Sequence, residues 1–118
     1  MKSKLVAKLN RVKEKETQKL ILDWLRMHKV FCFKYNSGGI FRADGSGYMP
    51  TGMRGISDIL GVVPNIGGQF LAIEVKSSKG IVSKYQQDFM DNINNNGGLA
   101  FMARSLDEVI EVLKDYVN

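Results

Sequence analysis

A seven-residue run that is apolar apart from two charges, Phe70-Leu-Ala-Ile-Glu-Val-Lys76, constrains the fold of this chain most strongly. The run predicts a strand, and because alternate side chains of a strand point to opposite faces, Glu74 and Lys76 share one face. A carboxylate and an ammonium in apolar surroundings are costly to desolvate unless they pair with each other or bind a metal ion. The strand therefore predicts a site near its end. The alternative interpretation is a structural cross-strand ion pair on a half-exposed sheet face.

A second acid lies upstream in similar surroundings, in the apolar run Gly55-Ile-Ser-Asp58-Ile-Leu-Gly-Val-Val63. A Gly-rich turn at 64–68 joins the two runs, so we expect an antiparallel hairpin that sets Asp58 and Glu74 side by side. Two close carboxylates repel each other, and the pKa of one of them rises unless a cation neutralises the pair. Ligands that are all oxygen suit Mg²⁺ or Mn²⁺.

Composition limits the class of protein and its partners. The chain has 118 residues, of which 44% are hydrophobic, and this predicts a single domain over residues 1–118 with a real core. No apolar run reaches the roughly 20 residues that span a membrane, the basic N-terminus has no signal-peptide core, and a cytoplasmic setting is expected. The only cysteine is Cys32, which excludes a disulfide framework and a cysteine-based zinc site. The net charge of +5 and the pI of about 9.4 favour a polyanionic partner, nucleic acid before a membrane surface.

The first fifteen residues form a basic segment in which six lysines and arginines accompany a single acid, Glu14. Leu5, Leu9 and Val12 recur at helical spacing, so residues 1–15 are predicted to be a helical arm. One interpretation is a solvated helix face. The other is contact of its cations, Arg11 among them, with DNA phosphates.

The remaining hydrophobic pattern alternates helices and strands without a repeat or a domain boundary. The elements predicted are a helix at 16–29, a strand at 30–36, a Gly-rich loop at 37–53, the two strands described above, a helix at 83–94, a strand at 99–104 and a closing helix capped by Ser105. Cys32 is expected to be a small core residue, and His28 a capping or packing residue. A loop as long as 37–53 is usually functional or disordered, and its aromatic residues and Arg42, with Arg54 just beyond it, form a plausible surface for DNA.

This order of elements, with Asp58 and Glu74-Val-Lys76 on consecutive strands, resembles the VRR-NUC domain, the virus-type replication-repair branch of the PD-(D/E)xK nuclease superfamily. The resemblance runs from about Glu16 to Val109. It rests on the motifs Glu16-Thr-Gln18, Asn36-Ser-Gly38, Arg54-Gly-Ile-Ser-Asp58-Ile-Leu, Ala72-Ile-Glu-Val-Lys76 and Ser83-Lys-Tyr-Gln86. One position departs from the family pattern, because Ser57 stands where the family usually has proline.

The resemblance implies an α/β fold with a restriction-endonuclease-like core, in which elements in αβββαβ order and a closing C-terminal helix build a central mixed sheet flanked by helices. It also implies a phosphodiester hydrolase that needs Mg²⁺ or Mn²⁺. By resemblance, Asp58 and Glu74 hold the metal together with the backbone carbonyl of Val75. Lys76 orients or activates the attacking water and stabilises the charge that develops on the phosphate.

Two further side chains complete the site that the resemblance implies. Glu16 would extend the acidic cluster, with Glu14 as the second choice, because residues two apart on a helix point to roughly opposite sides. Gln86 would support the site or position the water, with Gln87 as the second choice. The cations expected to contact DNA are Arg11, Arg42, Arg54 and Lys79.

Three hypotheses about the substrate follow. Short stand-alone members of the family resemble phage resolvases of four-way (Holliday) junctions, which act as homodimers because two symmetric strands need two equivalent active sites. The basic N-terminal helix and the apolar side of the last helix are the candidate dimer surfaces. The second hypothesis is a flap- or single-strand-directed nuclease that acts with partner proteins. The third is a DNA-binding module without activity, against which the intact Asp58, Glu74 and Lys76 argue.

Overall fold

The computed structural model describes residues 2–35, 40–41, 48–49, 53–64 and 67–117. A long helix leads into a four-stranded mixed sheet that two further helices cover, which confirms the α/β class and the mixed sheet flanked by helices. The elements are α1 (Lys2–Met27), β1 (Phe31–Lys34), β2 (Ile40–Phe41), β3 (Tyr48–Met49), β4 (Ile59–Val63), β5 (Gln69–Val75), α2 (Lys84–Asn95), β6 (Leu99–Ala103) and α3 (Leu106–Leu113).

The predicted basic arm and the predicted first helix are one continuous helix, α1. No glycine or proline separates the two segments in the sequence, so the backbone has no local reason to break between them. The second half of α1 buries Ile21, Leu22 and Leu25, whereas apolar residues of the first half, such as Leu5 and Leu9, are exposed. The helix therefore packs on the sheet through its C-terminal half only.

The sheet has the strand order β1-β4-β5-β6. β4 pairs antiparallel with both β1 and β5, and β6 pairs parallel to β5. The predicted hairpin is therefore present, with Ile59 opposite Ile73. At Gly61 a side chain would meet the neighbouring strand, since a Cβ there would lie 2.4 Å from the carbonyl oxygen of Phe31.

The two faces of the sheet are covered by different helices. On one face, β-strand residues such as Ile73 pack with α1 and α3 in the larger apolar cluster; on the other, Ala72 and Ala100 contact Met90 of α2. Met90 is the buried residue of α2, whereas Tyr85 in its first turn is 53% exposed. Successive residues of β5 alternate between the faces, so Glu74 lies on the α2 side with Ala72.

Part of the predicted loop at 37–53 is a short antiparallel ribbon, in which β2 pairs with β3. Arg42 and most of this segment lie outside the described residues. Cys32 is buried, as expected, and Nδ1 of His28 lies 2.9 Å from the carbonyl oxygen of Trp24 at the end of α1. Among the described residues, no helix is both long and apolar enough to cross a membrane.

Candidate active site

The hairpin of β4 and β5 brings Asp58 and Glu74 together. Asp58 immediately precedes β4, and its Oδ2 accepts a hydrogen bond of 2.8 Å from the backbone N–H of Val75. The antiparallel register that pairs Ile59 with Ile73 makes Asp58 and Glu74 the next pair of opposed positions. The carboxylate of Asp58 is thus fixed by the strand that carries Glu74.

Glu74 is a buried acid whose carboxylate is only partly satisfied. Its side chain is 2% exposed, and its Oε1 accepts a hydrogen bond from Nε2 of Gln86 and lies 3.7 Å from Nζ of Lys76. Its Oε2 is buried without a hydrogen-bond partner among the described residues. Burial first, and the negative charge of Asp58 second, raise the pKa of Glu74 to about 8, although Lys76 opposes the rise.

The pKa of Asp58 is shifted in the same direction. Burial raises it above its ordinary value, and the negative charge of Glu14 adds to this rise. The hydrogen bond from Val75 and the positive charges of Lys76 and Lys34 oppose the rise. Desolvation therefore destabilises the ionised form of both carboxylates by more than the neighbouring lysines stabilise it. An additional cation would stabilise the ionised pair.

Gln86 is positioned by the start of α2. Ser83 caps this helix in a capping box: its Oγ accepts from the N–H of Gln86 at 3.1 Å, and its own N–H donates to Oε1 of Gln86 at 2.9 Å. Because Oε1 is used by the cap, Nε2 is the end of the amide that reaches Glu74. Gln87, the second choice, is exposed and donates to Asp91 instead.

The helix acid that reaches the cluster is Glu14 and not Glu16. Oε1 of Glu14 accepts a hydrogen bond of 3.1 Å from the backbone N–H of Ser77, the residue that follows Lys76. Glu16 is exposed, on the opposite side of α1. The expectation that Glu16 faces the sheet is corrected, for a reason that can be read in the sequence: Glu14 lies four and seven residues before the buried Gln18 and Ile21, and so on their face of the helix.

Arg104 is a residue of this region that the sequence did not single out. Its Nη1 donates to the carbonyl oxygens of Ser77 and Gly80, the latter at 2.8 Å, and so closes the turn that follows β5. The turn packs on the site, since a Cβ at Gly80 would lie 3.2 Å from Cβ of Lys76 and 3.3 Å from Oε1 of Glu14. No local sequence signal links Arg104 to carbonyl groups more than twenty residues away.

A family model of the VRR-NUC domain matches residues 10–107 of the chain. The match spans most of the sequence and includes Glu14, Asp58, Glu74, Lys76 and Gln86. The chain belongs to the VRR-NUC family. The resemblance seen in the sequence motifs is thereby confirmed, and this VRR-NUC chain is a nuclease domain that acts on DNA.

Comparison with solved structures supports the same fold. A structure described as a VRR_NUC domain protein is 18% identical to this chain and superposes with a TM-score of 0.60, covering 87% of this chain and 86% of its own. At this level of sequence identity, the similarity is evidence for the fold alone. No curated protein matches the VRR-NUC chain.

The carboxylates of the VRR-NUC site form an oxygen-rich set that fits a hard divalent cation. The buried Oε2 of Glu74, which has no partner in the described part of the chain, is an acceptor that such a cation would satisfy. Within the described ranges, no group of three or more His, Cys, Asp or Glu side chains is arranged so that it could hold a metal ion. The two carboxylates would therefore need backbone or water oxygens, and the carbonyl of Val75 stays a prediction in that role.

The cations expected to contact DNA lie at different distances from this site. Arg11 lines a cleft beside Asp58. Arg54 donates to the hydroxyl of Tyr85 at 3.3 Å, and its guanidinium lies 5.2 Å from the centre of the Tyr85 ring. Lys79 is exposed on the turn that Arg104 closes. Ser57, at the position where the family usually has proline, is fully buried, and its hydroxyl has no hydrogen-bond partner among the described residues.

Proposed function

We propose that this VRR-NUC domain is a Mg²⁺- or Mn²⁺-dependent endonuclease that hydrolyses DNA phosphodiester bonds at Asp58, Glu74 and Lys76. The observation that carries the proposal is Glu74: a buried carboxylate with a strongly raised pKa, an unsatisfied oxygen, a lysine at 3.7 Å and a second carboxylate beside it. A purely structural ion pair would not need a second, half-buried acid beside it, because Asp58 raises the free energy of the ionised state of Glu74.

Asp58 and Glu74 would hold the cation, with the Val75 carbonyl as a further ligand. A bound divalent ion supplies a more acidic water and neutralises charge that develops on the phosphate. Lys76 is 17% exposed, so its ammonium is partly shielded from bulk water and acts in a medium of lower dielectric constant. We assign it the orientation of the attacking water and the stabilisation of the phosphate oxygens in the transition state.

Gln86 and Glu14 act through other groups of the site. Gln86 donates to Oε1 of Glu74, which leaves Oε2 of that carboxylate for the cation. Glu14 holds the N–H of Ser77 and so fixes the backbone next to Lys76. Both are positioning residues, and removal of such partners typically lowers metal affinity or activity by about 10- to 100-fold.

We further propose that the substrate is a four-way DNA junction and that the enzyme acts as a homodimer. Each chain carries one such site, and a two-fold symmetric junction presents two equivalent strands, so a symmetric dimer places one site on each strand. The free first half of α1 supports this proposal, since Leu5, Leu9 and Val12 form an exposed apolar stripe beside lysines on a protruding helix.

Cleavage of a synthetic four-way junction with each strand end-labelled in turn tests the proposal. We expect Mg²⁺- or Mn²⁺-dependent nicks at symmetric positions in two opposed strands, and none with Lys76→Ala. A linear duplex and a flapped duplex of the same sequence serve as controls. Cleavage of flaps or single strands alone would show that these structures, and not the four-way junction, are the substrate. Tight, salt-sensitive binding without cleavage under any metal would leave a DNA-binding module and contradict the catalytic roles.

A further inference from the structure

A cleft of about 500 Å³ opens beside the candidate active site, between α1 and the end of β1. Asp58 belongs to both, so whatever occupies the cleft lies next to the carboxylates. The lining residues are Arg11, Glu14, Lys15, Gln18, Lys34, Tyr35 and Asp58. The volume falls in the range of roughly 300–1,000 Å³ that is usual for sites of small ligands and cofactors.

The lining of the cleft is charged, and its cations are grouped. Arg11 and Lys15 are four residues apart on α1 and therefore project from one side of that helix, and Lys34 ends β1. All three are exposed at the mouth of the cleft. Tyr35 is the only aromatic residue among the lining residues. An apolar ligand would leave these charges unsatisfied, whereas an anion with one planar or apolar part would match them.

Gln18 gives the cleft a polar group that the protein itself does not use. The residue is 8% exposed, and its Oε1 has no hydrogen-bond partner in the part of the chain that the structure describes. Buried amides are normally hydrogen-bonded, and this buried oxygen is an acceptor, so a hydrogen-bond donor from water or from a sugar or base would be needed to complete it.

We propose that this cleft binds one nucleotide of the cleaved DNA strand, next to the nucleotide whose phosphate is attacked, with Arg11, Lys15 and Lys34 around its phosphate and Tyr35 against its sugar or base. The inference deepens the proposed function, on which it rests. It assigns Lys34 a substrate contact that the sequence did not suggest. It also narrows the phosphate contacts expected of the basic N-terminal segment to Arg11 and Lys15, and it places the strand on the α1 side of Asp58. Arg54 and Lys79 lie outside the lining of the cleft.

Binding of a labelled four-way junction, with Ca²⁺ replacing Mg²⁺ and at several salt concentrations, tests the contact with phosphate. We expect Lys34→Gln, Lys15→Gln and Arg11→Gln each to weaken binding by about three- to tenfold and to reduce the slope of log K against log salt by about one. Lys19→Gln is the matched control, because Lys19 is an exposed lysine of the same helix that does not line the cleft. If Lys19→Gln has the same effect as the cleft variants, the cations act only through overall charge and the proposal fails.

A phosphate-by-phosphate substitution locates the contact. In strands that carry one neutral methylphosphonate at successive positions, wild-type binding should fall several-fold at a single position within about one nucleotide of the cut. The triple variant Arg11→Gln, Lys15→Gln, Lys34→Gln should bind that strand and the unmodified strand equally. Loss of binding at the same position in both proteins would overturn the proposal.

The two proposals fail in different ways. If the wild-type protein cuts no DNA, the methylphosphonate position still reports whether the cleft holds one phosphate of the strand. If it cuts DNA but the cleft variants bind and cut as the Lys19→Gln control does, the nuclease assignment stands and the cleft assignment falls. Melting curves of the variants check folding, and no loss is expected because the three side chains are exposed.

Discussion

At the scale of single residues, Glu74 joins stability to function. Its burial raises its pKa to about 8, and the same burial leaves one carboxylate oxygen without a partner in the described structure. Without a cation, the folded protein therefore holds a proton on Glu74 near neutral pH. A cation would take the place of that proton, so metal binding and proton release are expected to be coupled.

The raised pKa predicts how stability depends on pH when no metal is bound. The pKa of Glu74 in the folded chain lies above its ordinary value of 4.5, so the folded state binds more protons than the unfolded state between 4.5 and about 8. The stabilisation is complete below 4.5 and is lost as pH rises through about 8. Melting temperatures measured in EDTA should therefore fall across this interval.

Glu74→Gln is the control for this dependence, since the amide keeps the shape of the side chain but does not titrate. We expect its melting temperature to vary less with pH, with a residual fall because the pKa of Asp58 is also raised. An unchanged slope in Glu74→Gln would show that another group is responsible.

The two acids of α1 should differ sharply in their contribution to activity. Glu14→Gln removes the negative charge from the side chain that accepts a hydrogen bond from the N–H of Ser77. We expect this substitution to lower the single-turnover rate of DNA cleavage by about 10- to 100-fold. Glu16→Gln makes the same chemical change on the exposed side of the helix and should leave the rate within about twofold. Equal rates for the two variants would contradict the placement of Glu14.

At the scale of elements, the sequence predicted what hydrophobic period and turn chemistry determine. The hairpin of β4 and β5 was predicted from its two apolar runs and Gly-rich turn, and α2 from Ser83 and the apolar residues after it. The continuity of α1 was not predicted, because the change of composition near residue 15 was taken as a boundary between two helical segments although no helix breaker lies there. Arg104 was missed because its partners are distant in the chain, and such contacts have no local pattern.

The choice between Glu14 and Glu16 was within reach of the sequence. The buried residues Ile21 and Leu25 define the inner face of α1, and Glu14 is in phase with them. Glu16 was the first choice because it opens the family-like motif Glu16-Thr-Gln18, and the phase of the buried residues of α1 was not used to decide between the two acids.

The contact of Gly55 with α2 is expected to be important for stability. Gly55 has φ of 79°, and a Cβ there would lie 2.2 Å from the carbonyl oxygen of Tyr85 in the first turn of α2. Gly55→Ala should therefore cost about 3 kcal/mol or more in the free energy of unfolding, as strain and overlap add. Gly67→Ala is the control, since φ is 71° but no atom of the described residues lies within 4 Å of the added Cβ, and a cost of about 1 kcal/mol is expected. Urea denaturation of both proteins measures the difference, and equal losses would contradict the close contact.

Arg104 is expected to position the turn at 77–80 and, through it, Lys76 and Glu14. Arg104→Gln should lower the single-turnover cleavage rate at saturating DNA by about tenfold, while DNA affinity in Ca²⁺ stays within about twofold, because the turn is loosened and no DNA contact is removed. Arg104→Lys, which retains the charge, should recover part of the rate. A loss of affinity with an unchanged rate would show that Arg104 binds DNA instead.

At the scale of the whole molecule, a basic chain of 13.2 kDa carries one candidate site, whereas the proposed four-way junction presents two equivalent strands. The predicted fold class and the family are confirmed, since both depend on patterns that run through most of the chain. The dimer and the branched substrate depend on contacts with a second chain and with DNA, which the structure of a single chain does not contain. Both stay predictions. Assembly and substrate therefore have to be tested together.

A supercoiled plasmid with an extruded cruciform tests this claim most directly, because its products count the nicks made in one binding event. We expect the wild-type protein with Mg²⁺ or Mn²⁺ to convert the plasmid to the linear form, through two opposed nicks at the base of the cruciform. Dimers that pair one wild-type chain with one Lys76→Ala chain should stop at the nicked circle. Nicked circles alone from the wild-type protein, or linear product from the mixed dimers, would contradict a dimeric resolvase with one site per chain.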